Sequence, residues 1–163
     1  MINYSQLVKC VKNKKVLCKT VDYSNKVLTA LNYISYPVFL VVAWYSGSQN
    51  LIKYILFPAI SFVLLSVFRH IYNAPRPYER FDYEPIGRSK ENKGKSFPSR
   101  HVFSAFVIAF MMLDFYTPLG IVFLILAAML AVVRVLCGVH YIKDVTVGAL
   151  VACASYLIMI LAF

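Results

Sequence analysis

The residues of this chain that could do chemistry fall in three short polar stretches, 69–77, 97–101 and 134–144. The last reads RVLCGVHYIKD and sets Arg134, His140 and Asp144 in a break between two apolar runs, where a bare connection needs none of them. A histidine and a carboxylate four residues apart share a face if the backbone is helical. Asp144 can then take the proton of one His140 nitrogen and leave the other to attack phosphorus. The carboxylate orients and supports that nucleophile, as the third member of a hydrolytic triad does. Helix-surface pairs at this spacing are common, so the pair alone does not decide.

The stretch FPSRH places Ser99, Arg100 and His101 at the entrance to an apolar run. Serine is a favoured N-cap, and the unpaired amides of a helix N-terminus make a natural seat for phosphate. His101, at the rim of that seat, has the side chain of a general acid able to protonate a leaving oxygen. An ordinary cap beside an interfacial histidine has the same sequence. In FRHIYNAPRP, Arg69 and Arg76 are seven residues apart, about two turns if the helix continues, so both can project toward a common anion. Arginine binds phosphate oxygens through a bidentate fork and keeps its charge, although arginines at span ends also serve as topology anchors.

The elements that must position these residues are membrane helices. Apolar residues make up 60% of the 163, more than a soluble domain carries. Runs of low charge recur at Leu28–Tyr45, Leu51–Phe68, Val102–Phe115, Ile121–Cys137 and Val145–Phe163. Each is near the roughly 20 helical residues that cross about 30 Å of hydrocarbon, the third being short. The pattern predicts an all-α integral membrane bundle of about five transmembrane helices. A second folded domain has no room. Residues 1–26 interleave Lys9, Lys12, Lys14, Lys15 and Lys19 with Leu7, Val8, Val11, Leu17 and Val21. Lysines break every apolar core a cleavable signal peptide would need, so this segment is expected to be a basic interfacial helix, with a disordered tail as the alternative. Residues 27–163 are the expected membrane-embedded domain. Cys10, Cys18, Cys137 and Cys153 lack the spacing and histidine partners of a zinc site and are read as free thiols.

With five crossings, the N-terminus, the loop between spans two and three and the turn between spans four and five share one face, where the three polar stretches converge. The opposite face has the links 46–50 and 116–120 and the C-terminus, with Lys53 its nearby cation.

The three stretches together resemble the signature motifs of the type 2 phosphatidic acid phosphatase family, or lipid phosphate phosphatases, which shares its site with vanadium haloperoxidases. The family pattern is Lys-x6-Arg-Pro, Pro-Ser-Gly-His and Ser-Arg-x5-His-x3-Asp. This chain has Arg69-x6-Arg76-Pro77, Pro98-Ser99-Arg100-His101 and Val133-Arg134-x5-His140-x3-Asp144. Arg69 replaces the family lysine and keeps its charge, Arg100 puts a bulky cation in place of glycine, and Val133 removes a hydroxyl.

The resemblance implies that His140 forms a phosphohistidine, Asp144 orients it, and His101 protonates the leaving group and later activates water. Arg69, Arg76 and Arg134, with Ser99 and its neighbouring amides, would bind the phosphoryl oxygens, and Arg100 would either add a charge contact or point toward headgroups. The arginines would supply the charge that a metal otherwise provides, so neither metal nor other cofactor is implied. The implied partners are a lipid phosphate and the bilayer, with no nucleic acid: phosphatidic acid, phosphatidylglycerol phosphate and polyprenyl mono- or diphosphates all qualify. The loop Tyr78–Lys95 is expected to shape headgroup access, with a merely solvated connection as the alternative. Positive-inside counting puts the polar face in the cytoplasm of a bacterial plasma membrane, whereas bacterial members more commonly have six spans and an outward-facing site. A noncatalytic lipid-phosphate-binding protein is the alternative from another class. Haloperoxidase chemistry is disfavoured because the oxidases of that superfamily are soluble and larger.

Overall fold

The computed structural model describes residues 3–87 and 93–162, and helices are the regular elements among them. Residues 88–92, within the loop expected to shape headgroup access, lie outside the described residues, as do 1–2 and 163. In chain order the helices are α1 (Tyr4–Asn13), α2 (Lys15–Tyr45), α3 (Leu51–Tyr72), α4 (Pro77–Arg80), α5 (Arg100–Phe115), α6 (Thr117–Leu136) and α7 (Ile142–Ala162).

Four of them, α2, α3, α6 and α7, are long and apolar enough to cross a bilayer. Their outer faces carry exposed Ile52, Val63, Leu64, Val122, Val132 and Leu157, side chains that suit hydrocarbon. Trp44, Tyr45 and Tyr116 are exposed at the end away from the polar stretches, where an aromatic belt meets headgroups. The third expected span differs in kind. Helix α5 has 16 residues, about 24 Å of rise, and packs against α2, α3, α6 and α7. Val102, Phe103, Ala105, Val107, Ile108, Ala109, Met111 and Met112 are all buried, so α5 is the axis of the bundle.

The N-terminal segment also divides differently from its composition. Helix α1 is basic and amphipathic, with the Asn3 side chain accepting from the Gln6 N–H at 3.2 Å as its N-cap. Lys14 breaks the helix with extended backbone (φ −101°, ψ 93°), and α2 then runs unbroken for 31 residues, about 46 Å. No break falls near residue 26. The buried positions Val21 and Leu28 carry one inward stripe across that point, and the helical i,i+4 pair Asp22–Lys26 at 2.7 Å leads up to it. The basic residues 15–26 are therefore the first turns of the long helix.

The core runs the length of the bundle. Phe39, Tyr54, Met111, Met112 and Met159 pack at the far end, Leu28, Ala105, Ala127 and Leu130 in the middle, and Val8, Tyr78, Tyr83, Cys137 and Val139 beneath α1. Buried polar residues gather at the α1 end: Arg69, Arg76, Ser96, Ser99, Arg134, His140 and Asp144.

Candidate active site

Asp144 lies in the first turn of α7 with no exposed surface. Its Oδ2 accepts from Ser96 Oγ at 2.5 Å and from the Tyr141 backbone N–H at 3.0 Å, and lies 3.4 Å from His140 Nδ1. An oxygen already accepting two protons is an acceptor toward the imidazole as well. The contact therefore puts a proton on His140 Nδ1, and in the neutral ring the lone pair lies on Nε2. The pair does not share a helical face as the spacing suggested. Helix α6 ends at Leu136, Gly138 turns the chain at φ +71°, and His140 sits in the connection before α7 begins at Ile142.

Arg134, buried in the last turn of α6, reaches two other helices. Its Nη1 donates to Asn25 Oδ1 of α2 at 3.0 Å and its Nη2 lies 3.1 Å from His101 Nδ1 of α5. A guanidinium only donates, so His101 Nδ1 accepts, and in the neutral ring the proton resides on Nε2. The two histidines thus have opposite tautomers, one with a lone pair at Nε2 and one with a proton there.

Helix α3 does not continue to Arg76. It ends at Tyr72, capped by Asn73 in the left-handed region (φ 42°). The arginines still meet, because the returning strand of loop lies between them. Arg69 Nη1 donates to Ser96 O at 3.3 Å and its Nη2 to Lys95 O. Arg76 donates to Gly94 O and Val139 O, each at 3.0 Å, and to Lys95 O at 3.4 Å. Arg69, Arg76 and Arg134 are 6%, 4% and 5% exposed, so three buried guanidiniums face one buried carboxylate, an excess of positive charge suited to an anion.

Ser99 is the N-cap of α5, yet its side chain makes no capping bond and its buried Oγ has no hydrogen-bond partner among the described residues. Its backbone N–H donates to Asp144 O at 2.9 Å, tying the α5 entrance to α7. Gly148 allows that approach: a Cβ there would lie 2.9 Å from Ser99 O. The unpartnered hydroxyl beside a helix N-terminus is what a phosphate oxygen would satisfy. Arg100 stands apart from the buried arginines. It is exposed, with its guanidinium 5.4 Å from the ring centroid of Phe62 on α3.

Several positioning residues escape the motif spacing. Ser96 holds Asp144, Asn25 holds Arg134, and Glu79 Oε1 accepts from the backbone N–H groups of Arg76 (2.9 Å) and Gly94 (2.7 Å). Only Ser96 had a local signal, as a second serine beside the Pro98-Ser99 cap. Among the described residues, no group of three or more His, Cys, Asp and Glu side chains converges as metal ligands. Cys137, three residues before His140, is buried and its thiol is pushed up to about 11 by desolvation, with Arg134 opposing. A cavity of about 410 Å³ descends from Arg100 and His101 between α2, α3 and α5, its apolar wall including Leu40, Pro58, Phe62, Phe103 and Ile108.

A sequence model of the PAP2 superfamily matches residues 50–163, a stretch containing all three polar segments. The chain belongs to the PAP2 superfamily. Bacitracin transport permease protein BcrC of Bacillus licheniformis is 31% identical over 121 residues, covering 72% of this chain. The chain spans about 60% of that relative's length. Aquifex aeolicus LpxE shares the fold with a TM-score of 0.75 at 23% identity, covering 95% of this chain and 93% of that one. A transmembrane PAP2-type phosphatidylglycerolphosphate phosphatase from Bacillus subtilis does so with a TM-score of 0.63 at 18% identity, covering 96% and 90%. This PAP2 chain is an integral membrane protein, with its polar cluster at one end of the helical bundle.

Proposed function

We propose that this PAP2 chain is a phosphatase of membrane lipid phosphates working through a phosphohistidine. His140 Nε2 attacks phosphorus, and the N–P bond forms as the bond to the leaving lipid oxygen breaks. His101 Nε2–H gives that oxygen its proton. Water then attacks the phosphohistidine, His101 takes a proton from it, and inorganic phosphate leaves His140 as it began. Asp144 orients His140 and stabilises its imidazolium. Arg69, Arg76 and Arg134, with Ser99 and the α5 N-terminus, bind the phosphoryl oxygens and the charge developing on them, the role a divalent cation has in other phosphoryl transfers.

The observation that carries this reading is the complementary pair of histidines: His140 held by Asp144 with its lone pair at Nε2, and His101 held by Arg134 with its proton at Nε2. The apolar cavity below His101 supports a phosphate tethered to a hydrocarbon chain. Phosphatidic acid, phosphatidylglycerol phosphate and polyprenyl mono- and diphosphates meet that description. The neighbour named as a phosphatidylglycerolphosphate phosphatase keeps the second of these in the panel. The site end also carries exposed Lys9, Lys12, Lys14, Lys15, Lys19 and Lys26, against Lys53 at the other end, which supports a cytoplasm-facing site in a bacterial plasma membrane.

The test is phosphate release from those lipids by purified protein in EDTA. Wild type releases phosphate, orthovanadate inhibits it as a transition-state-like ligand, and His140→Ala and His101→Ala each lose roughly a thousandfold or more. Folded wild type that releases no phosphate from any lipid would leave a lipid-phosphate-binding protein in its place, and a His140→Ala protein with full phosphatase activity would overturn the phosphohistidine.

A further inference from the structure

The chain from Cys137 to Ile142, which carries His140, is held from two sides. On the bundle side, Arg76 donates to Val139 O and the Tyr141 N–H donates to Asp144. On the other side lies α1 with the 78–86 loop beneath it. Tyr4 Oη accepts the backbone N–H of Ile142 at 3.2 Å, one of the N–H groups that the first turn of α7 cannot satisfy itself. The Tyr4 ring meets Tyr141 edge-on (5.1 Å between centroids, 83°) and stacks on Phe81 at 6.2 Å. One turn on, Val8 fills the notch at Gly138, where a Cβ would lie 2.5 Å from Val8 Cγ2 and 2.7 Å from the Tyr83 ring. Tyr83 Oη donates to Gly138 O at 2.9 Å and the Ile86 N–H to Cys137 O at 3.0 Å.

We propose that α1 is a positioning strap for the nucleophile, with Tyr4 and Val8 as its positioning residues. In this arrangement the basic helix has two faces with separate duties. Lys9 and Lys12 point to solvent or headgroups, while Tyr4, Val8 and Val11 press on the connection that presents His140. His140 sits in the connection between α6 and α7, where no helical hydrogen-bond ladder fixes the backbone that carries it. In-line attack needs the imidazole held within a narrow cone, and displacement by about 1 Å can lower a rate a hundredfold. The inference rests on His140 being the nucleophile. It adds that the direction of attack depends on a helix more than 130 residues away in sequence.

The test uses full-length Tyr4→Ala, Tyr4→Phe and Val8→Ala proteins with two readouts. One is kcat and KM on the panel lipid that wild type hydrolyses fastest. The other is hydrogen exchange of the backbone amides of 137–142, which needs no substrate. For Tyr4→Ala, kcat falls about tenfold with KM within twofold, and exchange at 137–142 quickens while that of α5 stays as in wild type. Tyr4→Phe keeps the ring and loses the Oη acceptor, so its kcat falls about threefold. This variant also stands in should Tyr4→Ala fail to fold. Unchanged exchange at 137–142, or a lower Tm with full kcat per folded molecule, overturns the strap and shows α1 to be packing alone. If His140→Ala keeps wild-type activity, the nucleophile assignment fails and the exchange result still reads whether α1 holds the segment.

Discussion

Asp144 Oδ2 is the point on which Ser96 Oγ, the Tyr141 N–H and His140 Nδ1 converge, so the direction of the imidazole depends on Ser96 as well as on the carboxylate. Removing one hydrogen bond to a charged group costs about 1.5–3 kcal/mol. Ser96→Ala is therefore expected to lower kcat roughly tenfold or more with little change in KM, as steady-state kinetics will show. Ser96→Thr, which keeps a hydroxyl, should retain more of the rate. Cys137 makes a second residue-level case, because its position near His140 invites a nucleophilic role. Its thiol has no exposed surface and is raised to about 11, which leaves a thiolate fraction of roughly one in a thousand at pH 8. Maleimide at pH 8 should label exposed Cys10 and spare Cys137, read peptide by peptide by mass spectrometry. Labelling of Cys137 should rise only as the pH approaches 11 or the protein unfolds. The same shift makes burial of this thiol stabilising below its unfolded pKa, with that contribution lost as pH climbs through about 11.

At the scale of elements, the α5 entrance is held against α7 by the Ser99 N–H to Asp144 O bond, and the close approach requires Gly148. Gly148→Ala puts a methyl 2.9 Å from Ser99 O, where the obstacle is backbone and cannot swing aside. Overpacking of about 1–3 kcal/mol is offset in part by the helix propensity of alanine, about 1 kcal/mol better than glycine. The expected outcome is a Tm shift of a few degrees at most and a loss of activity of about tenfold to a hundredfold, measured on the same preparation. A large fall in Tm with normal specific activity would mean that the two helices separate without disturbing Ser99. Helix α3 illustrates how an element's end matters. Had it continued past Asn73, Arg76 would project from the helix instead of binding Gly94, Lys95 and Val139 carbonyls.

For the whole molecule, the lysines of α1 and the first turns of α2 lie at the end that holds the buried arginines, and the far end has Trp44, Tyr45 and Tyr116 with Lys53. By the positive-inside rule this asymmetry supports the proposal of a cytoplasm-facing site. Single cysteines introduced at Lys93 and at Ser48 in a protein otherwise free of cysteine will check this in intact cells. An impermeant maleimide should label the Ser48 position and not the Lys93 position. The reverse pattern would put the site outside and require lipid phosphates of the outer leaflet.

What the amino-acid sequence determined by itself was local in character: helical spans from runs of low charge, a basic N-terminal face, and three polar segments whose internal spacing carries the family resemblance. Hydropathy and spacing act over a few neighbouring residues, so they can be read without knowing the fold. The tertiary structure decided what depends on partners far apart in the chain. Packing on all sides made the short α5 the axis of the bundle, and a buried stripe through Val21 and Leu28 carried α2 across the compositional boundary near residue 26. Ser96 meets Asp144 across 48 residues, Arg134 meets Asn25 across 109, and Tyr4 meets Ile142 across 138. Such contacts leave no periodic trace in the sequence, because each arises where separate helix ends arrive at one place.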